Sequence, residues 1–328
     1  MDKKIGGYIK VDLNTSHYES PHKSYNFQSS RAALVFLLNS AQIKTLWIPK
    51  YICGVVPDAI KNNTRCKIKY YSINSSFEII DKIVLSKNEF VLLVNYFGVL
   101  DKKINNTISN FKLEKVILDC SQSFFYKNSF VYASIYSPRK FFGLVDGGLL
   151  VTDQKINTAQ LKRYPTSFLA IIFIIAGKLN MYKLSYYLFK KNEIGFKNNS
   201  PKKITMLSEI LMRYINFDEA KSYRNLNYRR LWNGLSQYNK LNLDYSLDGP
   251  LCFPFLPKFK IHNAKQRLQE LGIFIPSYWH DVLENVSSNS FEAKMVNEVL
   301  AIPCDQRYGV DEMNYIILTI KLMVDKNE

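Results

Sequence analysis

Residues 116–152 read VILDCSQSFFYKNSFVYASIYSPRKFFGLVDGGLLVT, and the pattern of this stretch decides the fold. An apolar run stops at Asp119, a second run, VYASIY, stops beside Ser137, and LLVT follows the pair Gly147-Gly148. Short β-rich runs bounded by turn residues read as buried strands. Upstream, Ser29-Ser30 precedes the apolar helical stretch RAALVFLLN, TLWIP and KIKYYSI read as strands on either side of the short helix VVPDAIK, and FVLLVNYFG precedes a polar helix over about 102–111. Strands interleaved with helices in this way predict an α/β sheet.

Beyond Leu161 the strand patterns cease, and helical patterns cover 207–214 and 220–235. A second unit then starts: Pro250 to Lys260 is extended, Ala264 to Leu271 is helical with Gly272 as its stop, and Met313 to Val324 forms a terminal helix. There is no internal repeat. A chain of 328 residues is long for one core, so a larger and a smaller domain sharing a cleft are expected. The boundaries fall at 1–25 for an N-terminal arm, 26–215 for the large domain and 216–328 for the small one.

Hydrophobic residues make up 47% of the chain and charged residues 22%, which excludes intrinsic disorder. The net charge of +16 suits nucleic acid, anionic lipid or a phosphorylated small molecule. Basic residues are scattered as pairs such as Lys102-Lys103, Lys190-Lys191 and Lys202-Lys203, without a long basic run or a nucleic-acid module, so no nucleic-acid partner is expected. Five widely spaced cysteines with no C-x-x-C suggest neither a disulfide framework nor a zinc site, and the histidines lack metal spacing. A reducing cytoplasm fits this usage. Met1-Asp2-Lys3-Lys4 lacks the apolar core of a signal peptide, and the sequons at Asn14 and Asn62 read as chance matches. The longest apolar run, FLAIIFIIAG from Phe168, is about half the roughly 20 residues needed to span a bilayer, so no integral membrane segment is expected. It reads as a buried helix. Tyr182, Tyr186, Tyr187 and Phe189 among Lys183, Lys190 and Lys191 leave an interfacial membrane helix as the alternative.

In open α/β sheets ligands collect at the carboxyl ends of strands, so polar residues placed where apolar runs stop are the first candidates. Asp119 closes VILD, with Gln122 three residues on; its alternative role is that of a turn-forming aspartate. Lys140 follows a strand among bulky apolar residues. Burial beside another cation lowers a lysine's pKa, which Schiff-base chemistry requires, whereas an ordinary surface basic pair is the alternative. Ser29, Ser30 and Arg31 open a helix whose N–H groups, hydroxyls and guanidinium suit a phosphate, and ordinary capping explains them as well. A G-x-S-x-G, a Walker A motif and a G-x-G-x-x-G are all absent.

A lysine, a carboxylate and a phosphate cup, in that combination, are what pyridoxal phosphate (PLP) needs. IGGY, SSRAALVFLLNS, LWIPKYICGVV, VNYFG, ILDCSQSFF, SPRKFFGLVDGGLLVTD and LAIPCDQRYGVDEM together resemble the DegT-type PLP-dependent sugar aminotransferases, of the aspartate aminotransferase superfamily. The resemblance covers most of the chain. It implies fold type I: a large domain with a mostly parallel mixed sheet sandwiched by helices, and a smaller C-terminal α+β domain. It implies that Lys140, in S-x-x-K-x-x-G, carries the cofactor and moves protons, that Ser137 contacts the phosphate, that Asp119 keeps the ring nitrogen protonated, and that Gln122 lies beside the phenolic oxygen. Ser29, Ser30 and Arg31 stand where the family usually has Gly-Thr or Gly-Ser, a departure that crowds the phosphate unless Arg31 compensates. Tyr51 is the available residue for stacking on the ring, with core packing beside Trp47 and Val55 as its alternative role. Asn95 falls near the cleft.

The resemblance further implies a homodimer with shared active sites, although GFKNNSPKKITMLS is only weakly similar to the family's subunit-bridging loop. Lysine rather than histidine at the catalytic position favours amino transfer over dehydration. The expected activity is transfer of an amino group, from glutamate, to a nucleotide-linked keto-sugar for a bacterial surface polysaccharide such as O-antigen or capsule. The rival is a catalytically silent protein of the same fold, acting as a binding or assembly partner. A third reading, binding to an anionic membrane or nucleic acid, rests on charge alone.

Overall fold

A computed structural model describes residues 4–325 apart from Tyr8, Asn180, residues 196–199, Ser246 and Leu247. In chain order the strands are β1 Ile5–Gly6, β2 Tyr25–Phe27, β3 Thr45–Pro49, β4 Lys67–Tyr71, β5 Glu89–Val94, β6 Val116–Cys120, β7 Ala133–Tyr136, β8 Gly148–Val151, β9 Cys252–Phe255, β10 Ile273–Phe274 and β11 Leu300–Pro303. The helices are α1 Ser30–Ser40, α2 Val55–Asn63, α3 Asp101–Ile108, α4 Arg139–Phe142, α5 Phe168–Lys178, α6 Tyr182–Gly195, α7 Met206–Met212, α8 Phe217–Leu235, α9 Ala264–Glu270, α10 Phe291–Glu298 and α11 Val310–Asp325.

Strands β2 to β8 form one seven-stranded sheet in the order β2-β8-β7-β6-β5-β3-β4. Strands β3 to β7 are parallel, and β8 runs antiparallel to both β7 and β2. Parallel neighbours need crossovers; α2 lies in the one between β3 and β4, and α3 in the one between β5 and β6. Central strands covered on both faces carry continuous apolar runs, which is why Phe90 to Val94 and Val116 to Leu118 are buried without alternation. The edge strand β4 differs. Its Lys67 and Lys69 are exposed, and charge on an edge discourages pairing with another chain.

The remainder includes the long helix α8, packed on α11 and β9, and two small sheets, the antiparallel pair β9-β11 and the parallel pair β1-β10. In the second pair Ile5 lies opposite Ile273, so the N-terminal arm is a strand partner of a segment far along the chain. Arg307 and Tyr308 clamp it: Arg307 Nη1 donates to the Gly6 carbonyl at 3.4 Å and the Gly6 N–H donates to the Tyr308 hydroxyl at 2.7 Å.

One sequence reading is corrected. FLAIIFIIAG forms α5, as expected, but it is not a buried helix: Phe168 is 74% exposed and Ile175 51%. Its inward stripe, Ala170, Phe173 and Ala176, packs with Val145 and Leu188 in a small cluster separate from the main core. A helix apolar all round that meets neighbours on one side leaves its other side uncovered. Among the described residues no helix is long and apolar enough to cross a membrane.

Arg307 also grips Asp305 with two bonds, Nε to Oδ1 at 2.7 Å and Nη2 to Oδ2 at 3.0 Å. Burial opposes the Asp305 charge, but the Arg307 and Arg224 guanidiniums outweigh it and hold the carboxyl below its usual pKa. A lowered carboxylate pKa adds stability above the unfolded value of about 4, and that stability is lost as pH falls through the folded value. Asp305→Asn is therefore expected to cost about 3 kcal/mol at neutral pH in urea unfolding, and to flatten the loss of stability of the parent protein below about pH 4.

Candidate active site

A cavity of about 190 Å³ opens where β5, β6 and β7 end. This is the carboxyl edge of the parallel strands, where successive crossovers leave room for a ligand. Asp119, Gln122, Ser137, Arg139, Lys140, Ser29, Ser30 and Arg31 all line it, together with Cys53 and Trp279.

Asp119 is the penultimate residue of β6, in register with Val94 on one side and Ile135 on the other. Its Oδ1 accepts from the Ser121 N–H at 2.8 Å, which orients the carboxylate at the strand end. Gln122 is 2% exposed; its Oε1 accepts from the Phe97 N–H at 3.0 Å. Its Nε2 is buried with no hydrogen-bond partner. A buried donor left unpaired costs about 1–3 kcal/mol, so this amide is set to meet an acceptor in the cavity.

Lys140 is the second residue of α4, whose start is fixed by the Lys140 N–H donating to the Ser137 carbonyl at 3.1 Å. A four-residue helix has little stability of its own. Phe141 and Phe142 anchor it in an aromatic cluster with Phe124, Phe125 and Phe217, and Gly143 ends it in the left-handed conformation at φ 64°. Two donors from the C-terminal part reach the Phe141 carbonyl: Gln306 Nε2 at 2.9 Å and Arg224 Nη2 at 3.2 Å. Burial holds the Lys140 pKa below the ordinary lysine value; Asp119 and Cys53 pull it back up, and Arg139 and Arg31 push it further down. The neutral, nucleophilic amine is thus more accessible near neutral pH.

Ser29 is the N-cap of α1 in extended conformation, φ −158°, so no glycine is required there. Its Oγ accepts from the Ala32 N–H at 3.2 Å, which engages one donor of the helix start with the chain's own side chain. The first turn of α1 carries no acidic residue, so its positive dipole end faces the cavity uncompensated. The close approach that a glycine would serve is provided from below: a Cβ on Gly148 would stand 2.0 Å from the Ser29 carbonyl carbon.

Two expected residues do not line the cavity themselves. Tyr51, 1% exposed, does not line the cavity; its ring packs against Tyr96 at 5.3 Å and edge-on to Trp279 at 4.7 Å. Trp279 takes the place at the wall. Asn95 is fully buried just past the end of β5, next to the cavity-lining Val94, its N–H donating to the Asp119 carbonyl at 3.1 Å and its Nδ2 to Asp101 Oδ1 at 2.8 Å. It supports the strand that presents Asp119. Trp279, Arg139 and Cys53 were not singled out from the sequence. Arg139 is adjacent to Lys140 and was legible as the neighbouring cation, whereas nothing local marks Trp279, which reaches the site from a distant segment. In GFKNNSPKKITMLS, residues 196–199 lie outside the described residues. Among the described residues no group of three or more His, Cys, Asp or Glu is placed to hold a metal ion.

No family model and no curated protein matches the chain by sequence. Solved structures do match in shape. The PMP form of Spr1654 from Streptococcus pneumoniae has a TM-score of 0.63 at 14% identity over 98% of this chain and 92% of that one. A DegT DnrJ EryC1 StrS aminotransferase from Brucella abortus has a TM-score of 0.60 at 14% identity, over 90% and 84%. DesI, crystallised in the presence of its TDP-sugar product, has a TM-score of 0.64 at 11% identity, over 94% and 82%. The chain has the fold of the PLP-dependent aminotransferases, fold type I, with a mostly parallel mixed sheet flanked by helices.

Because the atoms facing the missing Gly148 side chain are backbone, Gly148→Ala forces the start of α1 away from β8. The substitution is expected to lower unfolding free energy by about 3 kcal/mol in urea titration. Gly309→Ala, where a Cβ meets only the end of the Glu312 side chain at 3.7 Å, is expected to lower it much less.

Proposed function

We propose that this chain is a PLP-dependent aminotransferase acting on a sugar. The observation that carries the proposal is the orphaned Gln122 Nε2 in a cavity that also presents Lys140, Asp119 and an uncompensated helix N-terminus. This donor set fits the cofactor: an amine for its aldehyde, a carboxylate for its ring nitrogen, an amide N–H for its phenolic oxygen and a cup for its phosphate. Bound PLP supplies an electron sink for charge developing at the amino-bearing carbon.

The chain's residues do the rest. Lys140 Nζ, its pKa lowered by burial, would hold the cofactor covalently and would move the proton at the substrate carbon. Asp119 would face the ring nitrogen and favour its protonated form. Gln122 Nε2 would donate to the phenolic oxygen. Ser30, Arg31 and Ser137 would hold the phosphate together with the α1 N-terminus, and Trp279 forms part of the pocket wall. The excess of basic residues suits a nucleotide-linked keto-sugar, whose diphosphate such a field attracts. Glutamate as donor, a homodimer with shared sites, a cytoplasmic location and a role in bacterial surface polysaccharide synthesis complete the reading. So do the boundaries 1–25, 26–215 and 216–328. A silent binding partner of the same fold is the rival, favoured by the Ser29 hydroxyl's engagement of a donor in the cup.

A visible absorption spectrum of the protein incubated with PLP decides between them. The expected result is a new band that borohydride reduction fixes on the peptide containing Lys140. Lys140→Ala lacks the band and loses the half-reaction with glutamate by at least about 100-fold while keeping its circular dichroism. A folded parent protein with no band overturns the enzyme reading in favour of the rival.

A further inference from the structure

We propose that the outer face of the α5–α6 pair is a docking surface for anionic lipid headgroups. It is independent of the proposed function, since the cavity lining includes no residue of α5 or α6. Phe168, Ile171, Ile175 and Leu179 recur at three- and four-residue spacing, and all are 42% exposed or more. They form one stripe opposite the inward Ala170, Phe173 and Ala176. Met181, Leu184, Tyr186 and Tyr187, exposed by 37–53%, continue the apolar surface onto the second helix. Large contiguous apolar faces on soluble chains mark interaction sites.

The charge around this face selects the partner. Between Asp153 and Glu193 the sequence has no acidic residue, and Lys178, Lys183, Lys190 and Lys191 fall within the two helices; Arg163, before them, is paired with Glu209 at 2.6 Å. Lys178 and Lys183 are exposed beside the apolar stripe, and Lys191 Nζ sits 4.9 Å from the centre of the Tyr187 ring. A second copy that met this patch across a two-fold axis running through it would set lysine against lysine, with no carboxylate from this segment between them. A headgroup layer supplies both missing complements, negative charge for the rim and an apolar boundary for the stripe, with tyrosines at the level where amphipathic rings settle. An 11-residue helix is about 16 Å long, too short for a hydrocarbon core of about 30 Å, so the contact is with the surface.

The test is co-sedimentation of the full chain with phosphatidylcholine vesicles and with vesicles of phosphatidylcholine and phosphatidylglycerol. Binding to the second kind alone, weakened by added salt, is expected. Lys178→Gln with Lys183→Gln should lower partitioning by roughly five-fold per lysine, and Ile171→Ser with Ile175→Ser should lower it comparably at an unchanged melting temperature. Lys61→Gln with Lys67→Gln, on exposed sites elsewhere, should retain most of it. Absence of binding to the anionic vesicles at low salt overturns the proposal. So does equal loss in the Lys61 and Lys67 control, which would mean diffuse charge attraction. A dimer that dissociates on Ile171→Ser with Ile175→Ser, in a parent that ignores vesicles, overturns it in favour of a second copy.

Discussion

One buried guanidinium joins the two halves of this molecule. Arg224, on the long helix α8, has no exposed surface. It donates to the carbonyls of Pro250 and Leu251 at the entry to β9 and to that of Phe141 in α4, and its guanidinium lies 4.6 Å from the centre of the Phe141 ring. Burial of such a charge is costly and lowers its pKa; the three carbonyls met by Nη1 and Nη2 and the nearby Asp305 charge offset part of that cost, while Nε has no partner. The result is that the residue after Lys140 is held from the C-terminal part rather than from the sheet. A four-residue helix that could fray is fixed from two sides, by aromatic packing below and by directed hydrogen bonds beside it.

Much of this architecture is legible because its causes are local. Strands such as VILD and FVLLV are buried on both faces, so their apolar character is continuous and ends abruptly at polar residues. Those end points, Asp119 and Ser137, lie at the cavity because the sheet is parallel and its strand ends coincide. Lys140 and the Ser29-Ser30-Arg31 segment were visible for the same reason, as polar groups set at element boundaries. What the sequence conceals is what arrives from elsewhere. Trp279 comes to the cavity wall from a segment with no local pattern to mark it, and the buried Tyr51 ring packs edge-on against it. Arg224 reads like any helix arginine until its burial is known. The apolar composition of α5 says that it avoids water, not which of its sides finds a partner.

The cavity shows the converse of core packing. Some buried polar groups use several of their bonds, as where Asn227 donates to the carbonyls of Asp305 and Tyr308 and Thr205 bonds twice to Asp146, while others such as Trp47 Nε1 and Asn95 Oδ1 are unpaired away from the cavity lining. Gln122 instead has one end held by the Phe97 backbone and the other unpaired against the cavity. The held end makes the unpaired end directional, and an amide fixed in this way needs little reorganisation to meet an acceptor.

The pairing of β1 with β10 also shapes the order in which the molecule can assemble. Ile5 lies opposite Ile273, so the arm has no strand partner until that later residue has been synthesised. At about 5–20 residues per second a ribosome delivers it after a delay of order tens of seconds. The parallel strands β3 to β7 are complete well before then, since all their residues precede Ser137. The arm therefore closes over a sheet that already exists. Its docking forms the most sequence-distant of the strand pairings among the described residues, a contact of high loop-closure entropy.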